Sequence, residues 1–183
     1  MRADAGKLKD IRMPRFSWDY EDFPKAEHWF LMADAYMDIC QFVLSEMTKE
    51  QLDSSFHHAK VAVSLFEHAI ELFLKASICQ AGAKVPAHHK MDKLYRKYIA
   101  LFPGNDFAFQ GKIQDFVKPS AMAPHNLYAR YPGEKNGKPW QGHTHIDISI
   151  WYREADKFLS DFKRLKPLIK EQYKTTKNPR SGF

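Results

Sequence analysis

The sequence predicts an all-α protein, an up-and-down bundle of four or five helices, from three observations. Apolar residues recur at three- and four-residue spacing over long stretches, the period of a helix with one buried face. Turn-forming residues separate those stretches. The connections so defined are short except for one, and short connections make consecutive helices antiparallel neighbours. With 183 residues, 44% of them hydrophobic, the chain is long enough for one domain with a real core. Its 14 Phe, 8 Tyr and 4 Trp predict that large rings fill that core.

The first helix is read from Glu27 to Met47, where Trp29, Met32, Ala33, Tyr36, Ile39, Cys40, Val43 and Met47 form a stripe. The second is read from Lys49 to Gln80. Between Val61 and Cys79 it is apolar nearly all round, as expected of a central helix or one also buried by a second subunit. Gly82 stands at the stop position, with Pro86 after it. A third helix is read over His88–Leu101, directing Met91, Leu94, Tyr95, Tyr98 and Leu101 inward. Pro103-Gly104-Asn105-Asp106 is turn chemistry, and a weaker helix is read from Phe107 to Val117.

Residues 119–149 break the pattern with four prolines and HTHIDISIW, read as a short strand or an extended loop. A connection of that length is commonly functional or disordered. The last helix is read from Trp151 to Tyr173 along Ala155, Phe158, Leu159, Phe162, Leu165, Leu168 and Ile169. The resulting division is an N-terminal arm over 1–24, the bundle over 25–174 and a flexible tail over 175–183.

The net charge of +6 is uneven. Residues 25–83 hold four bases and eight acids, whereas residues 84–138 hold ten bases and four acids. A basic second half favours an anionic partner. No run of eighteen apolar residues spans a membrane, and the N-terminus has no apolar signal region. Cys40 and Cys79 fall inside apolar stripes and are read as free thiols, which places the chain in the cytoplasm. No Walker loop, GxGxxG, HExxH, CxxC pair or nucleophile elbow occurs, so the familiar enzyme classes that use them gain no support.

Two segments carry a family likeness. One combines Glu71 and Lys75 on an apolar helix with Gly82, Pro86, then His89 followed by Met91 and Leu94. The other is NLYARYPG, with Tyr128, Arg130, Tyr131 and Pro132 before the last helix. In this order, across residues 25–170, they resemble the HEPN family of nucleotide- and RNA-associated domains. The resemblance implies a four- or five-helix bundle that dimerises, and a function as RNase, nucleotide binder or partner of a nucleotidyltransferase in a toxin–antitoxin pair. The family's RNases carry Arg-x(4–6)-His. Here the first histidine after Arg130 is His143, thirteen residues on, so the chain is read as a member without that motif.

Arg130 is the first candidate ligand residue. Its planar fork matches phosphate oxygens, and Tyr128 and Tyr131 offer faces for a base. The competing reading is an ion pair with Glu71 that pins the loop. His125 and His143 are the candidates to join Arg130 in cleaving RNA as base and charge stabiliser. His143-x-His145-x-Asp147 has metal-like alternation but no second ligand cluster, so no metal is assigned. Glu71 and Lys75 form the favoured i, i+4 pair, and His89 stands near them in the family pattern. Lys84, Lys90, Lys93, Arg96 and Lys97 form either a phosphate-contacting patch or a solvated face. The expectation is a non-catalytic HEPN-like module for a nucleotide or RNA, acting as a homodimer, with no cofactor and no membrane. Ligand contacts fall to Arg130, Tyr128, Tyr131, His89, Glu71 and Lys75. The alternatives are a metal-independent RNase or a ligand-free interaction subunit.

Overall fold

A computed structural model describes residues 24–49, 56–114 and 147–176. Among them are four α-helices and no strand: α1 over Lys25–Thr48, α2 over Phe56–Gln80, α3 over Met91–Leu101 and α4 over Ile148–Thr176. The predicted fold class is the one observed. The side-chain pairs give the topology directly. Cys40, Tyr36 and Phe30 of α1 meet Ala62, His68 and Phe73 of α2, one sequence rising while the other falls, so the two helices are antiparallel. Glu27, Asp34 and Gln41 of α1 pair with Lys170, Lys166 and Asp156 of α4, again antiparallel. Phe66 and Phe73 of α2 contact Phe158 and Phe162 of α4 in the same order, so α2 and α4 run parallel, as alternate members of an up-and-down bundle must.

Large rings build the centre. Phe73, fully buried, stacks on Phe162 at 4.2 Å between centroids and meets Phe30 and Phe109 edge-on at 5.3 and 5.8 Å. One α2 residue thus ties two helices and the loop before the crossover, and its truncation to alanine should cost about 3–5 kcal/mol. Cys40 is buried and its thiol donates to the Ala62 carbonyl at 3.2 Å. Burial pushes that thiol up to about 12, which leaves it protonated and unreactive at neutral pH. Cys79 is half-buried, and both cysteines are free. No helix among the described residues is long and apolar enough to cross a membrane.

The ends of the helices follow their local chemistry. Gly82 has φ of +69°, its N–H bonds the Cys79 carbonyl at 2.9 Å, and the Ala83 N–H reaches Ile78 at 3.1 Å. That double bond is the glycine-terminated stop expected at this position. HTHIDISIW is corrected at its C-terminal part: helix α4 begins at Ile148. Asp147 is its cap, its Oδ1 accepting the N–H groups of Ser149 and Ile150 and the Ser149 hydroxyl. The third helix begins at Met91 rather than His88.

The weak helix read from Phe107 to Val117 is corrected over its first part; residues 113–114 are helical, and 115–117 lie outside the described residues. Asn105–Phe107 form one 3-10 turn, and residues 108–112 are not helical. Side chains of α4 claim the backbone groups a helix would have used. Asp161 Oδ2 accepts the N–H of Gln110 at 2.8 Å and of Gly111 at 2.9 Å, and Glu154 Oε2 accepts that of Lys112 at 3.1 Å. Arg164 donates to the carbonyls of Asp106 and Ala108 at 2.7 and 2.5 Å and to Asp161 Oδ1 at 2.8 Å.

Candidate site at the junction of the second and third helices

Ten residues past the start of its apolar-all-round stretch at Val61, α2 carries a carboxylate, Glu71, where the pattern calls for another apolar side chain. Glu71 is only 4% exposed, so its charge requires partners. Two are present, and both meet the same oxygen. Lys75, one turn on, donates from Nζ to Oε1 at 2.7 Å. His89, eighteen residues on, donates from Nδ1 to Oε1 at 2.7 Å. The first contact follows from helical spacing. The second depends on the Gly82 stop, which ends α2 and lets the linker bring His89 back alongside Glu71.

The electrostatics are cooperative. Burial pulls the Glu71 pKa upward, but the bonds and charges of Lys75 and His89 outweigh it and hold the carboxyl below its ordinary 4.5. The ionised carboxylate in turn fixes the imidazole with Nδ1 as the bonded nitrogen. Lys75 is almost enclosed, with 12% of its side chain exposed, whereas 63% of the His89 side chain meets solvent. With Nδ1 anchored inward, that exposure falls on the rest of the ring, including Nε2. The arrangement presents an oriented imidazole nitrogen at the surface, able to donate to an anion when protonated and to accept a proton when neutral.

The surroundings are basic. Lys84, Lys90 and Lys93 are exposed, and Arg96 is 73% exposed with one bond to Asp92 at 3.2 Å. Lys97 donates to the Lys84 carbonyl at 2.6 Å, tying the linker to α3. His88 accepts the Lys90 N–H at 3.3 Å. Between residues 84 and 97 there is one acid, Asp92, against five Lys and Arg.

Of the residues singled out from sequence, Glu71, Lys75 and His89 are brought together. Arg130, Tyr128, Tyr131, His125 and His143 lie outside the described residues, as does the proposed ion pair from Arg130 to Glu71. Among the described residues no group of His, Cys, Asp and Glu could hold a metal ion. A second cluster was not anticipated: Asp161, fully buried, with Glu154, Arg164 and Gly111. Its signal was present in the sequence. Glu154 and Asp161 share a row with Phe158 and Leu165, at spacings of four, three and four, so two acids interrupt the buried stripe of α4.

The chain matches the family model of the HEPN domain over residues 44–171. No curated protein and no solved structure gives a significant match.

Proposed function

Because the chain belongs to the HEPN family, a family with nucleotide- and RNA-related functions, we propose that it is a non-catalytic binding module for the phosphate groups of a nucleotide or RNA. The observation that carries this reading is His89, held by a buried carboxylate and surrounded by exposed bases. A solvated charged face does not require its histidine to be locked by a buried acid. A phosphate site gains from such locking, because an oriented donor loses less entropy on binding than a free one. Lys90, Lys93 and Arg96 supply the diffuse positive field, and His89 the directed bond. Arg130, Tyr128 and Tyr131 are assigned to the same ligand from sequence, as phosphate fork and base-stacking faces.

Fluorescence anisotropy with a short single-stranded RNA across a salt series tests the proposal. Affinity should fall with log salt at about 0.7 per phosphate neutralised. Replacing Lys90, Lys93 and Arg96 together by alanine should flatten that slope. RNA and mononucleotides that fail to bind even at low salt would leave the chain as an interaction subunit.

The Glu71–His89 contact also favours one second reading, a metal-independent RNase in which His89 exchanges protons, assisted by Arg130 with His125 or His143. A carboxylate-oriented imidazole is the ordinary form of a general base. RNA cleavage in excess chelator, abolished by His89→Ala and by Arg130→Ala, would establish it. Intact RNA in the presence of saturating protein would dismiss it.

A further inference from the structure

Nδ1 of His89 and Nζ of Lys75 meet the same carboxylate oxygen of Glu71, each at 2.7 Å. Glu71, held below its ordinary 4.5, is ionised at neutral pH. An ionised carboxylate only accepts hydrogen bonds, so the Nδ1 that touches it carries a proton. A neutral imidazole has one N–H, and Glu71 has taken it. The outward Nε2 of neutral His89 is therefore a bare lone pair, an acceptor. A phosphate oxygen is an acceptor too, and the two repel rather than bond. Only the imidazolium, with a second proton on Nε2, donates outward while Nδ1 keeps its bond to Glu71.

The groups around His89 do not share this requirement. Glu67, Glu71 and Lys75 stand on α2, Lys84, His88 and Lys90 in the linker, and Asp92, Lys93 and Arg96 on α3. Lysine and arginine side chains ordinarily titrate above about 10 and carboxylates below about 5, whereas imidazole titrates near 6.5. That leaves the two histidines, and His88 is arranged the opposite way. Its Nδ1 accepts the Lys90 N–H at 3.3 Å, so its neutral form already carries the proton on Nε2. Adjacent histidines are held in opposite tautomers, and only His89 must gain a proton to meet an anion. We propose that phosphate binding at His89 is coupled to the uptake of one proton, so that the site captures its ligand on acidification and releases it as pH rises through the imidazole range. The coupling rests on the phosphate-binding reading above and adds its regulation. It is reciprocal, because an anion beside the ring favours the imidazolium as much as the imidazolium favours the anion.

Fluorescence anisotropy with a short single-stranded RNA at fixed salt tests the coupling, run from about pH 5 to about pH 8, either side of the ordinary imidazole value. The RNA carries no terminal phosphate, whose own second ionisation at about 6 would fall within that range. Wild-type affinity should fall roughly tenfold from the acid to the alkaline end, the loss of one charge-assisted bond. His89→Ala, at an exposed position, should bind weakly with most of that dependence gone. His88→Ala should keep the wild-type profile. Calorimetry at neutral pH, in two buffers of different ionisation enthalpy, should count up to one proton taken up per RNA bound by the wild type and none by His89→Ala. A flat wild-type profile, or a pH dependence that survives His89→Ala, would overturn the coupling and leave the phosphate reading standing. RNA that binds at no pH would overturn the phosphate reading, and the coupling with it.

Discussion

Of the three carboxylates buried among the described residues, Asp161 and Glu71 have partners that differ in kind. Asp161 of α4 is fully enclosed, and its partners hold one segment of backbone: the N–H groups of Gln110 and Gly111, and Arg164, which also binds the carbonyls of Asp106 and Ala108. Glu71 of α2 is nearly as buried, but its chain of contacts ends on an imidazole largely in solvent among exposed lysines. The first cluster directs its bonds to backbone groups and fastens a loop. The second leaves an oriented nitrogen at the surface. Burial of a charge identifies neither a structural nor a functional group; where its hydrogen-bond network terminates separates the two.

The comparison breaks if the two clusters respond alike to substitution. The largest effect is expected at Asp161. Asp161→Ala strands two loop N–H groups and the Arg164 guanidinium, and should cost about 3–5 kcal/mol in chemical denaturation. RNA affinity per folded molecule should stay within twofold of wild type. Gly111→Ala should come next. A Cβ there would lie 2.6 Å from Cε2 of fully buried Phe158, so ring or loop must shift, for about 1–3 kcal/mol. The same melt that reports Asp161→Ala reports this one.

At the other cluster the order reverses. His89→Ala removes an exposed side chain and should change stability by less than about 1 kcal/mol. Its RNA affinity should nevertheless fall roughly tenfold, about 1.4 kcal/mol. Glu71→Gln sharpens the point, because it keeps the shape and removes the charge that orients His89. Affinity should fall with it, and the pH dependence of stability should change in a defined direction. The folded-state pKa of Glu71 is depressed, so its contribution is complete above the ordinary 4.5 and disappears as pH falls through the lower folded value. Wild type should therefore lose stability below pH 4.5 more steeply than Glu71→Gln, a difference visible in denaturation midpoints measured between pH 3 and 6, roughly one and a half units either side of that value.

The bundle was legible because helical periodicity and the Gly82 stop are local signals, and local signals survive in a single sequence. The helix expected from Phe107 is absent over residues 108–112 for a non-local reason. Its own residues permit a helix, but Asp161, Glu154 and Arg164, some fifty residues away, bind the backbone groups first. The site was half legible. Glu71 and Lys75 announce each other by spacing, and His89 entered through its place in the family pattern. Periodicity could not show that His89 shares an oxygen with Lys75, since that contact depends on how the linker folds back. The α4 cluster is marked in the sequence only by two acids in a buried row, and spacing alone does not show that their partners are backbone groups some fifty residues earlier.

The central claim is that Glu71 holds His89 for a phosphate, and imidazole nitrogen NMR during an RNA titration tests it most directly. The account predicts that Nδ1 of His89 stays protonated and bonded throughout, while Nε2 shifts as RNA saturates the protein. RNA that binds tightly while both His89 nitrogens remain unmoved would contradict it.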